Sequence, residues 1–265
     1  PTDNSQNGGA GLYALVVDGG LSASLSRVLV EGNMLYAPNT QSSVWTANGG
    51  AGLYFNTQVG MQVTGQLLSF INNSVLCDAS QSTYKLVANG GAGLYCNTYG
   101  SSLVVSLSDV TAANNLVRAD YTSSSFGAAN GGAIYLNSKG LLNLTATDIV
   151  LSGNVVLSRN GISSEISFGG GGGLFASTVG VAAMNAVLER IVAENNFVDM
   201  SNTTSNLSNN GGAAVFLSGF ESLVLDARSI VLQNNVVVCD DTYTGPNGTA
   251  ANGGAGLYTQ FFGTS

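Results

Sequence analysis

Seven residues, Asn-Gly-Gly-Ala-Gly-Leu-Tyr, occur letter for letter at Asn7–Tyr13, Asn48–Tyr54, Asn89–Tyr95 and Asn252–Tyr258. Degenerate copies fill the interval, as NGGAIY at Asn130–Tyr135, GGGGGLF at Gly169–Phe175 and NGGAAVF at Asn210–Phe216. The closing aromatics, Tyr13, Tyr54, Tyr95, Tyr135, Phe175, Phe216 and Tyr258, stand 40 to 42 residues apart along all 265 residues. One period running through a whole chain describes one unit that buries its apolar face only by stacking on copies of itself.

A second signature follows each of the first six aromatics by 19 to 21 residues: Asn33, Asn73, Asn115, Asn154, Asn196 and Asn235. The residue before it is always Gly or Asn (Gly32, Asn72, Asn114, Gly153, Asn195, Asn234). These two residue types enter the left-handed backbone region most cheaply, so the spacing predicts a fixed turn. Apolar pairs such as Val28/Val30, Leu68/Phe70 and Ile149/Leu151 precede the turn with a two-residue period. The same alternation flanks the aromatics, as in Leu53/Phe55 and Leu94/Cys96. Period two is a strand with one face inward. A third strand is expected between them, as at Leu141–Thr145, and helix-length periodicity is absent.

The rest of each repeat is polar and different every time, for example APNTQSSVWTA and DASQSTYKLVA, and reads as loop. Three strands, a fixed turn and a variable polar loop in 40–42 residues predict an all-β fold: a parallel β-helix, one solenoid domain of about seven coils over residues 1–265. It is expected to be right-handed, like other parallel crossovers. Two shorter coils per repeat would double the rod's length; one coil accounts better for the loop-like segment. The chain opens on Pro1 without Met and is expected to be an excerpt of a longer polypeptide.

Charge and composition narrow the partners. The net charge is −8 with only seven Lys and Arg, too few for a basic face that tracks phosphates, so nucleic acid is not an expected partner. No apolar run approaches the roughly 18 to 20 residues of a membrane-spanning helix. Three cysteines make no disulfide framework, and Cys96 falls at an inward position as a small hydrophobe.

With the repeats in view, GGAIY and GGAGLY alternating with FINN at Phe70–Asn73 resemble two motifs of chlamydial polymorphic outer-membrane proteins and related autotransporter passengers. Those motifs are GGA followed by Ile, Leu or Val, and F-x-x-N. The resemblance covers all seven repeats and implies a surface-exposed adhesive or structural β-helix.

The same residues offer candidate sites. A phosphate loop would need Lys and Ser or Thr after the glycines and then a helix, and no copy has them. Calcium β-rolls place Asp after the glycines, where this chain has Ala-Gly-Leu-Tyr. No metal or cofactor is expected. Alternation with inward Leu and Ala sets the aromatics on the outside, as a column that stiffens the rod or offers a platform to sugars or a neighbouring filament. The Asn column reads as a hydrogen-bonded amide ladder. Sequons occur at Asn72, Asn143, Asn202, Asn206 and Asn247, of which Asn202, Asn206 and Asn247, on loops, are the candidate N-glycosylation sites.

Parallel β-helices also carry polysaccharide-cleaving enzymes. Here there is no His, Asp240-Asp241 is the one adjacent acidic pair, and Asp109 and Asp148 merely occupy matching positions. Catalysis is not expected. The expected function is a structural or adhesive extracellular or cell-surface protein, a rod segment of a fibre or filament. Its partners would be itself, end to end or laterally, other surface proteins, or glycans bound by an adhesin.

Overall fold

The computed structural model describes residues 4–36, 41–42, 45–77, 81–82, 86–120, 123–160, 162–179, 182–202, 204–239, 242–243 and 250–261. Every strand pairing among them is parallel, and each strand pairs with its equivalent in the next repeat: Tyr13 with Tyr54, Tyr54 with Tyr95, Tyr95 with Tyr135. One repeat is therefore one coil of a β-solenoid.

Each coil passes through four sheets. In the second coil the chain runs through Trp45–Gly49, Leu53–Thr57, Gly60–Ile71 and Ser74–Leu76. The strands equivalent to Leu53–Thr57 form a seven-stranded aromatic sheet, those of Gly60–Ile71 a six-stranded long sheet, and those of Ser74–Leu76 a six-stranded short sheet. The fourth, ten-stranded among the described residues, contains Asn4–Gly8 and, overlapping the segments expected to be loops, Trp45–Gly49, Leu86–Gly90, Ser123–Asn130, Ile162–Gly170 and Thr204–Gly211 among its strands. A parallel ladder bonds main chain to main chain, so it forms without any side chain recurring.

Four corners turn the coil. The second glycine of each motif is left-handed, from Gly9 (φ 65°) and Gly50 (φ 57°) to Gly254 (φ 51°). At Gly50 a Cβ would run into the Leu53 carbonyl, so the corner admits only Gly. After the aromatic strand a hydroxyl closes the turn: Val59 N–H donates to Thr57 Oγ1 at 3.2 Å, and Gly100 N–H to Thr98 Oγ1 at 3.1 Å. The predicted turn before the Asn column is left-handed in every coil, at Gly32, Asn72, Asn114, Gly153, Asn195 and Asn234.

The fourth corner falls inside the long strand, at Arg27, Leu67, Asp109, Asp148, Arg190 and Ser229, all with φ between 53° and 56°. Ladder pairing skips this residue: Ser108 pairs with Gln66 and Val110 with Leu68. Leu103, Val105 and Leu107 are buried before it, Val110 and Ala112 after it. One left-handed residue resets the alternation, so both halves of the strand face the same core. The two strands expected between the aromatic and the Asn turn are thus one bent strand, and a short strand follows the Asn.

The main core lies between the aromatic and long sheets, with Leu53, Phe55, Leu94, Cys96, Val63, Phe70, Val105 and Leu144 in it. A smaller core joins the short sheet to the fourth residue of the glycine motif, as Val75, Cys77, Val117 and Val198 against Ala51, Ala92 and Ala213. Cys77 and Cys96 sit in different cores, and Cys77, Cys96 and Cys239 form no disulfide.

Candidate functional site

The aromatic column exists, but it does not face solvent. Tyr54, Tyr95, Tyr135, Phe175 and Phe216 are at most 2% exposed; Tyr13, in the first coil, is 41% exposed. As the alternation predicts, these rings lie on the face of their strands opposite the aliphatic core. What covers them is the fourth sheet. A Cβ on Gly8, Gly49 or Gly170, the last residue of its strand, would collide with the ring of Tyr54, Tyr95 or Phe216 in the following coil. The first glycine of the motif makes room for the next coil's aromatic. The outward-platform expectation is overturned.

Ring centroids are 4.8 Å apart from Tyr13 through Tyr54 and Tyr95 to Tyr135, with planes within 5° of parallel. From Tyr135 to Tyr258 the separations are 5.0 to 5.2 Å, and the tilt grows to 21°. The Tyr hydroxyls meet a second amide column that the sequence reading missed. Asn56 Nδ2 donates to Tyr54 Oη at 3.0 Å, Asn97 Nδ2 to Asn56 Oδ1 at 3.3 Å, and Asn137 Nδ2 to Asn97 Oδ1 at 2.8 Å. The signal was present: an amide stands two residues after Tyr54, Tyr95, Tyr135 and Tyr258, whereas Phe175 and Phe216 are followed by Ser177 and Ser218. Tyr258 Oη donates to Gln260 Oε1 at 3.0 Å. Tyr95 Oη is buried without a partner.

Burial disfavours the phenolate and raises the pKa of Tyr54, Tyr95 and Tyr135. It pushes Tyr99 up to about 12, against opposing hydrogen bonds to Asn97 and Asn56. Burial also raises the Cys96 thiol. None of these groups is a nucleophile at neutral pH.

The Asn column is the expected ladder. Asn33 Nδ2 donates to Asn73 Oδ1 at 3.0 Å, and the series continues to Asn115, Asn154, Asn196 and Asn235 at 2.9 to 3.0 Å. Each Oδ1 also accepts the backbone N–H of the Asn before it at 3.1 Å. From Asn73 onward a second Nδ2 bond reaches back to a carbonyl of the preceding coil, such as Val30 or Phe70.

Some of the acidic groups are engaged with arginines. Arg190 grips Asp148 through Nε at 2.7 Å and Nη2 at 2.9 Å, which holds the Asp148 carboxyl below its usual range. Arg159 holds Asp120 in the same fork, at 3.1 and 2.8 Å. Asp109 takes the bend position one coil before Asp148. Asp240-Asp241 lies outside the described residues. Among the described residues no group of three or more His, Cys, Asp or Glu side chains could hold a metal ion. A shallow depression of about 430 Å³, bordered by Ser22, Gln62, Ser102 and Val104, has no charged lining. No helix is long and apolar enough to cross a membrane among the described residues.

Of the sequons, Asn202 is exposed with φ 57°. Asn206 falls within the strand Thr204–Gly211 and not on a loop, and Asn247 lies outside the described residues. Asn72 is exposed at its corner, and Asn143 accepts a bond from Asn185 Nδ2 at 2.9 Å. Comparison with protein-family models, curated proteins and solved structures returned no match.

Proposed function

We infer that this chain is a structural rod segment of an extracellular or cell-surface fibre, associating through stacked β-coils. One observation carries the reading: the side chains that recur with the period are buried between coils and bond or stack to their own copies. Leu94 and Tyr95 are fully buried, and so are Asn73 and Asn115. What the sequence repeats serves to hold one coil on the next. Six ring-to-ring steps of about 5 Å give a segment roughly 30 Å long. Ser, Thr and Asn in place of charge suit an exterior setting, and Asn202 is the exposed candidate for a glycan. Sedimentation velocity over rising concentration, with electron microscopy of the same samples, tests the reading. Rods longer than one segment support it; folded monomers throughout reject it.

A second reading, an adhesin that binds a ligand or glycan, has its own support. Ser24, Thr64, Ser106 and Thr145 are exposed and in register on the long sheet, a file of neutral hydroxyls at the coil spacing. This face, and not the buried aromatics, would meet a sugar. A glycan array with Thr64→Lys as control separates the two readings.

A further inference from the structure

The short sheet is apolar on both faces. Its central residues Val75, Val117, Val156 and Val198 fill the smaller core. The residues on either side of them point away from that core, and these are Leu76, Leu116, Val155, Leu157 and Phe197, all half-buried. The outward side of the long sheet, by contrast, carries the exposed hydroxyls of Thr64, Ser106 and Thr145. A parallel sheet that is apolar on both faces is ordinarily covered on both, and a contiguous apolar stripe on a surface marks an interaction site.

Strand register sorts the outward residues into two files, one through Leu116, Val155 and Phe197, the other through Arg118, Leu157 and Asp199. Among the described residues the charges of the stripe are Arg118 and Asp199, one coil before and one coil after Leu157. Asp199 Oδ1 accepts the Ser201 N–H at 3.0 Å, which anchors the carboxylate at the end of its strand. The second file is thus self-complementary: reversed end for end, it sets its cation against its own anion, with Leu157 at the centre.

We propose that this stripe pairs two copies of the chain side by side and antiparallel, about a two-fold axis along Val155–Leu157. The pairing builds on the self-association reading and adds a lateral contact to it. The interface is isologous, the same patch used twice. Leu157 meets its own copy, Leu116 of each chain meets Phe197 of the other, and Arg118 of each meets Asp199 of the other. Packed sheets stand about 10 Å apart, a gap that two facing layers of such side chains fill. A stripe two files wide covers less than the roughly 800 Å² per partner of a standard interface, so the pair is weak and forms with rising concentration. The apolar residues supply attraction, and the two ion pairs set the antiparallel register.

The test is sedimentation velocity of the full chain over rising concentration, with small-angle scattering to tell a widened particle from a lengthened one. Wild type should give a dimer wider than the monomer and no longer. Arg118→Asp leaves two anions facing two anions, and Asp199→Arg two cations facing two cations, so each variant alone should lose about tenfold in dimer affinity. Their equimolar mixture restores both ion pairs across the axis and should return to the wild-type affinity. Circular dichroism checks that each variant is folded. Leu157→Lys sets two ammonium groups face to face on the axis and should give the same loss with Arg118 and Asp199 intact, so the test stands even where Arg118→Asp does not fold. A mixture of folded variants no tighter than its components overturns the two-fold pairing. Oligomers that all three variants leave intact overturn the lateral contact and leave coil-on-coil association standing. Folded wild-type monomers at every concentration overturn both. If those monomers bind a hydrophobic dye that Leu157→Lys releases, the stripe belongs to a partner other than a second copy.

Discussion

The ring of Tyr95 lies against the backbone of Gly49, one coil earlier, where any β-carbon would collide with it. The contact explains why the motif carries two glycines in succession: Gly50 is needed for its left-handed φ of 57°, Gly49 for the space above it. Gly49→Ala should therefore destabilise by overpacking, about 1 to 3 kcal/mol. Gly50→Ala should destabilise through the left-handed backbone, by about 1 to 2 kcal/mol before its clash with Leu53 is added. Gly32→Asn is the control. Gly32 has φ 67° and nothing within 4 Å of its would-be Cβ, and Asn occupies the same corner at Asn72. Urea midpoints should fall for the first two and stay within about 0.5 kcal/mol for the third.

Asn115 supplies the sharpest test of the ladder. It is fully buried, donates to Asn154 Oδ1 at 2.9 Å and Phe70 O at 2.8 Å, and accepts from Asn73. Asn115→Ala leaves those partners unpaired in the interior, at about 1 to 3 kcal/mol for each orphaned group. Asn115→Asp keeps the acceptor but turns an oxygen toward Phe70 O and Asn154 Oδ1. Its carboxyl should titrate above the ordinary Asp range, because burial and facing acceptors favour the neutral acid. The defect relative to wild type should thus shrink as pH falls toward the unfolded Asp value of about 3.9 and be full at neutral pH. Thermal melts at both pH values measure this.

How far the letters reach depends on whether a feature needs a particular side chain. The coil period, the left-handed residue before Asn73 and the amide ladder all do, and each was legible. The fourth sheet does not. Trp45–Gly49, Ser123–Asn130 and Ile162–Gly170 bond through main chain and share little sequence, so they read as loop and the aromatics appeared uncovered. The bend at Leu67 and Asp109 hides for a related reason, since Arg, Leu, Asp and Ser all occupy it. Its one trace is a step of three between apolar positions, from Leu107 to Val110, where a strand would step by two.

Two phenols one coil apart should respond differently to losing their hydroxyl. Tyr54 Oη accepts from Asn56 Nδ2 at 3.0 Å, whereas Tyr95 Oη is buried without a partner. Tyr54→Phe should lower stability by about 1 kcal/mol, the net worth of an ordinary hydrogen bond. Tyr95→Phe should be neutral or stabilising, as the column's own Phe175 and Phe216 suggest. Denaturant titration of the two variants decides it, and a larger loss at Tyr95 would contradict the assignment of an unpartnered hydroxyl.

The buried phenols also set the alkaline limit of the fold. Burial raises the folded pKa of Tyr54, Tyr95 and Tyr135, and that of Tyr99 to about 12, above the unfolded value of about 10. In that interval the unfolded chain has lost protons that the folded chain keeps, so folding stability falls as pH rises. It is fully present below about pH 10 and lost progressively above it. Phenolate absorbance from the buried column should rise as one step, together with the loss of β-sheet circular dichroism. Uniform early titration of all tyrosines in a folded protein would contradict a buried column.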